Sequence, residues 1–148
     1  EYMSKIDGRT QVTIELLKDV RYRIYFYHRN KDIYDKLKNM LKNHLTTYTL
    51  CLGLSEYIAN YKYIDEFKLS LKEGQNVLID SIIPNVKELD VEFEEGLEYY
   101  KEIVSNAMDE KREVLEYKEV FFEKSGKPIR VKSTQYWKVG NEENVLFL

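Results

Sequence analysis

From Val20 the chain alternates. Val20, Tyr22, Ile24 and Phe26 fall on one side of an extended backbone, and Arg21, Arg23, Tyr25 and Tyr27 fall on the other, because successive strand side chains point to opposite faces. The pattern predicts a half-buried strand, and such a strand commits the chain to a fold in which a sheet meets a core. Its second face mixes cations with aromatic rings, the combination that sheet platforms use to stack bases and neutralise phosphates. An ordinary solvent face, or one covered by another element, is the alternative left open.

A helix is predicted next, from Lys31 to Asn43, with Asn30 as cap, Asp32 near its start and Lys36, Lys38 and Lys42 towards its end. Ile33, Leu37 and Leu41, with Tyr34 and Met40 beside them, form an apolar stripe suited to covering a sheet. Lys18 to Lys42 carries eight cations and three anions, so any site for an anionic partner belongs here. Lys87 to Glu110 is the reverse, with nine carboxylates against two lysines. It reads as a solvated face or as a surface for a basic partner.

Tyr48 to Tyr61 places one glycine in an apolar setting and reads as a buried turn used for docking. Gly53 can take backbone angles closed to other residues and let another backbone or a phosphate come close, and Ser55 offers a hydroxyl for capping a short helical turn over residues 55–58. A strand is expected over 60–71, then a turn at Gly74-Gln-Asn and a strand over 77–82 that ends before Pro84. Further strands are expected near 89–93 and 99–104. Ser125-Gly-Lys-Pro should join 114–123 and 129–132 in a β-hairpin, and 144–148 can add a last strand. Strand, helix, loop and strand make half of a ferredoxin-like unit. The fold class is therefore α+β: a half ferredoxin-like unit followed by a β-rich antiparallel region, read as one unit over 1–148.

The 148 residues suit one domain, and thirteen tyrosines fit a sheet-rich protein. A formal net charge of -3 argues against an indiscriminate nucleic-acid binder. Cys51 is the only cysteine and there are two histidines, so neither an intrachain disulfide nor a zinc-ligand spacing is present in the sequence. No cofactor is expected. No apolar run reaches membrane-spanning length, and a cytoplasmic location is the default expectation.

Tyr48-Thr-Leu-Cys-Leu-Gly-Leu-Ser-Glu-Tyr-Ile-Ala resembles the "Y-T-P-Y-L-G-L-S-E-F-I-A" signature of the CRISPR-associated RAMP subunit that caps the 5′ end of guide RNA in type I Cascade complexes. Leu50 and Cys51 stand where Pro-Tyr is usual. Lys18-Asp-Val-Arg-Tyr-Arg-Ile-Tyr resembles the family's "L-x-x-P-x-Y-R-I-Y" strand, and Met108-Asp-Glu-Lys-Arg and Asn144-Val-Leu-Phe-Leu resemble its closing segments. Order and spacing are similar to the type I-B branch.

The resemblance implies an RRM-like (RAMP) fold, a segment preceding Glu1, and hence the C-terminal portion of a longer protein. It implies a non-enzymatic antiviral-defence subunit that binds the 5′ handle of crRNA and contacts the Cascade backbone and large subunits. By position, Lys5 to Gln11 resembles the returning arm of the family's thumb hairpin, so Lys5 and Arg9 join Arg21, Arg23, Gly53 and Ser55 as candidate RNA-binding residues. A lone half-unit leaves sheet edges uncovered, so self-association is expected. Two other readings stay open. One is a metal-independent pre-crRNA endoribonuclease, as in the related I-C branch, with His28 beside Arg29 and Lys31 as its proton-transfer group. The other is a protein-interaction module whose RNA contacts lie elsewhere.

Overall fold

The computed structural model describes residues 19–148, which divide into two compact parts at Tyr63 and Ile64. The expected loop over 1–10, with Lys5 and Arg9, lies outside the described residues.

The first part is built on α1 (Lys31–Lys42). Asn30 starts it as expected, its side-chain oxygen accepting from the N–H of Asp32 at 2.9 Å and of Ile33 at 3.3 Å. Such a cap satisfies donors that the first turn leaves without partners. The helix stops in a Schellman motif: Leu45 N–H donates to the Met40 carbonyl and His44 N–H to that of Leu41, with His44 at φ 53° in the position glycine usually holds. Tyr34, Leu37, Met40 and Leu41 are half-buried, but Ile33 is exposed and no helix residue is fully buried.

The expected strand over 20–27 does not form. Among the described residues they pair in no ladder, and Ile24 is 86% exposed. Alternation marks a segment able to enter a sheet, but a strand exists only where a neighbour takes up its N–H and C=O groups. The strand predicted from Asn60 likewise begins only at Leu69. The helix is thus the regular element of the first part, and the strand–helix–loop–strand half-unit is absent from residues 19–63.

The second part holds β1 (Leu69–Ile79), β2 (Ile83–Pro84), β3 (Val91–Glu92), β4 (Tyr99–Met108), β5 (Val114–Glu123), β6 (Ile129–Val139) and β7 (Glu143–Val145). All pair antiparallel in two sheets. In one, β6 is central, with β1 on one side and β3 and β7 also paired to it; in the other, β5 lies between β2 and β4. The described residues thus mix one helix with mostly antiparallel sheets, compatible with an α+β or β-rich class.

Two expectations fail in instructive ways. Gly74-Gln-Asn is no turn: β1 runs through it, with Gly74 opposite Thr134, Gln75 opposite Ser133 and Val77 opposite Val131 in unbroken register. Asn76 absorbs the local irregularity at φ 53°. Gly74 is needed for close packing, since a Cβ there would lie 2.8 Å from Val77 Cγ2. The second failure is the hairpin. β5 and β6 do not pair with each other, and the turn between them carries the chain from one sheet to the other. Glu123, only 5% exposed, holds this turn by accepting from the N–H and hydroxyl of Ser125 and from Lys127 N–H.

The core draws on both sheets. Val77 and Ile79 of β1, Ile129 and Val131 of β6 and Ile83 of β2 form one buried cluster, against which Leu89, Val91, Tyr99, Tyr136 and Leu146 pack. Alternate residues of β1 and β6 enter it, as period-two patterning requires. The C-terminal strand is tied back by Asn144, whose N–H donates to Asp80 Oδ2 and whose amide donates to the Leu78 carbonyl.

Candidate functional site

The basic stretch ends on a stack of rings leading into α1. Phe26 stacks on His28 at a centroid distance of 6.2 Å and on Tyr34 at 6.1 Å, and the Lys38 ammonium sits 5.6 Å from the Tyr34 centroid. Lys38 also pairs with Asp35 at 3.2 Å. Tyr34 and Lys38 meet because residues four apart share a helix face. Phe26, assigned from the sequence to the apolar side of a strand, instead joins aromatic groups to a cation. The i, i+4 spacing of Tyr34 and Lys38 is the sequence signal for half of this cluster.

Arg21 and Arg23 are exposed. His28 is engaged locally, with Nδ1 accepting the Asn30 N–H at 3.0 Å at the helix entrance. His44 stacks on Tyr61 at 4.7 Å.

The Gly53 loop is a narrow hairpin closed by the Cys51–Ile58 bridge. Leu52 N–H donates to Tyr57 O at 2.8 Å, Ala59 N–H to Leu50 O at 2.9 Å and Tyr57 N–H to Leu54 O at 3.0 Å. The last bond makes a turn at 55–56, not the predicted helical turn. With no helix to cap, the Ser55 hydroxyl bonds Glu56 at 3.3 Å. Gly53 holds φ 85°, so its backbone angle demands glycine, while no atom lies within 4 Å of where a Cβ would be. The loop is exposed rather than buried, with Leu52 and Leu54 each about half accessible.

An open cleft of about 1020 Å³ lies against this loop, with Val20 and Tyr22 contributing from one segment and Gly53 and Ile58 from the other. Its charged lining among the described residues is Asp19 and Glu56, two carboxylates without a cation. Arg21, Arg23 and Ser55 do not line it. Of the described candidates, Gly53 lines this cleft, while Arg21 and Arg23 are exposed on the segment that contributes Val20 and Tyr22 to it.

The acidic run of the second part is partly neutralised. Lys124 reaches Glu98 at 2.6 Å and Lys132 reaches Asp90 at 2.9 Å. Arg130 approaches Glu92 and Glu94 at 3.8 and 3.7 Å, while Lys101, a lysine of the run itself, pairs with Glu119 outside it at 2.7 Å. Hydrogen bonding to Glu98 raises the pKa of Lys124, as bonding to Asp90 raises that of Lys132. Lys101 and Asn85 lower that of Glu119. A run that is acidic in sequence thus meets cations brought from distant strands.

Among the described residues, no three His, Cys, Asp or Glu side chains gather in a way that could hold a metal ion, and no helix is long and apolar enough to cross a membrane. No protein-family model, curated protein or solved structure matches the chain.

Proposed function

We propose that this chain is a cytoplasmic, non-enzymatic RNA-binding subunit of a type I CRISPR surveillance complex, holding the 5′ handle of crRNA and contacting the backbone and large subunits. The sequence resemblance supplies the family. The observation that carries the RNA reading is the exposed stretch from Arg21 to Arg29, which pairs in no ladder and adjoins the Phe26–His28–Tyr34 stack. Aromatic rings offer every base a stacking face, and guanidinium groups bind phosphate in forked geometry. In this reading the ferredoxin-like unit is completed by strands beyond residues 19–63, and the half-covered stripe of α1 is the surface they would cover.

The endoribonuclease reading rests on His28, whose Nδ1 is occupied at the helix entrance. That bond favours a structural role. Fluorescence-anisotropy titration of the full chain against handle-containing RNA and a scrambled handle, with chelator present and the RNA recovered afterwards, tests the proposal. Tighter binding of the intact handle with uncut RNA is expected. Equal affinity for both RNAs overturns handle recognition, and a specific product that disappears in His28→Ala establishes the nuclease.

A further inference from the structure

The charged residues among the described lining of the cleft beside Gly53 are both acidic, the wrong sign for RNA. A phosphate placed there would meet Asp19 and Glu56, and no cation among the described lining residues offsets them. Its other described lining residues are mostly apolar or aromatic, including Val20, Ile58, Tyr22 and Tyr57, with Asn60 as the polar exception. Tyr22 is 68% and Tyr57 40% exposed, so both rings are accessible. Carboxylates and tyrosine rings that line one cleft suit a guanidinium, which donates a forked pair of hydrogen bonds to a carboxylate and stacks on aromatic rings. The apolar wall suits the residues on either side of it.

We propose that this cleft docks a segment of a partner protein carrying an arginine between apolar residues. The assignment goes beyond the RNA reading and does not depend on it: it rests on Asp19 and Glu56, whereas the RNA reading rests on Arg21 and Arg23, between which Tyr22 lines the cleft. It also gives the hairpin a purpose: Gly53 at φ 85° keeps Leu52 bonded to Tyr57 and so fixes the wall that Ile58 and Glu56 share.

Cys51 lines the cleft, is exposed, and is the sole cysteine of the chain, so its alkylation reports on this site alone. Intact-mass measurement of Cys51 alkylation by iodoacetamide is made on the full chain with three probes: the peptide acetyl-Ala-Leu-Arg-Leu-Ala-amide, its Glu counterpart, and a single-stranded RNA. At roughly 1 mM, the Arg peptide should slow alkylation to about half or less, as a ligand with a Kd of about 1 mM must. The Glu peptide should leave the rate unchanged, and any slowing by RNA bound at Arg21 and Arg23 should not depend on Asp19 and Glu56. Asp19→Asn with Glu56→Gln should abolish protection by the Arg peptide when each variant is compared with its own unliganded rate. Both changes keep the fold: asparagine tolerates the φ of 56° at position 19, and glutamine keeps an acceptor for Ser55. The same double variant should bind RNA as the wild type does, which separates this result from the RNA assay. Absence of protection by the Arg peptide, equal protection by the Glu peptide, or protection by RNA that the double variant abolishes overturns the proposal.

Discussion

The Glu123 carboxylate accepts both the backbone N–H of Ser125, at 2.8 Å, and its hydroxyl, at 2.6 Å. These bonds, with that from Lys127 N–H, close the turn that leads from β5 in one sheet to β6 in the other. All three favour the ionised carboxylate, so the pKa of Glu123 lies below its ordinary value, chiefly through the Ser125 hydroxyl.

A group whose folded pKa is depressed contributes stability above its unfolded pKa and loses it as pH falls through the folded value. Glu123→Gln should therefore lower Tm at pH 7, and the gap from wild type should narrow as the pH is taken below the ordinary glutamate value. Thermal melts from about pH 7 to about pH 3 check this. A pH-independent gap would mean that the charge of Glu123 does not stabilise the turn.

Ile79 and Ile24 separate buried from merely alternating residues. Ile79 is 0% exposed in the core and Ile24 is 86% exposed. Ile79→Ala should cost about 2–5 kcal/mol, as core truncations do, whereas Ile24→Ala should stay within about 0.5 kcal/mol. Urea unfolding of both variants decides it. A large destabilisation in Ile24→Ala would show that the Val20–Tyr27 segment is buried after all.

Gly53 is held by its backbone angle, not by crowding. Gly53→Ala should therefore disturb the hairpin nearly as much as Gly53→Val, each by about 1–2 kcal/mol, or a roughly five- to thirtyfold larger opening constant. Hydrogen exchange at the Leu52 and Ala59 amides, which donate across the hairpin, reports it. An alanine variant with wild-type protection would show that the loop tolerates an ordinary residue there.

The local signals were legible. Asn30 and the apolar spacing marked α1 to within a residue, and the strands expected near 99–104, 114–123 and 129–132 fall within β4, β5 and β6. Pairing was not legible, because it is decided by distant partners. Ser125-Gly-Lys-Pro has the residues of a hairpin turn, yet burial of Ile129 and Val131 with Val77 and Ile79 assigns β6 to β1 instead. The cations that meet the acidic run are hidden from a local reading, because Lys124 and Lys132 lie 26 and 42 residues from Glu98 and Asp90. At the candidate site, the positive φ of Gly53 was legible from the glycine itself. The role of Ser55 was not, since a hydroxyl before an acidic residue reads equally as a helix cap or as a partner for its neighbour.

The most direct test of RNA binding is the salt dependence of handle affinity in the full chain, for wild type and for Arg21→Ala with Arg23→Ala. Removing one phosphate contact should make the slope of log K against log salt shallower by about 0.7 for single-stranded RNA, so the double variant should bind more weakly with a slope shallower by up to about 1.4. Unchanged affinity and slope in a folded double variant would contradict the assignment of the RNA grip to this stretch.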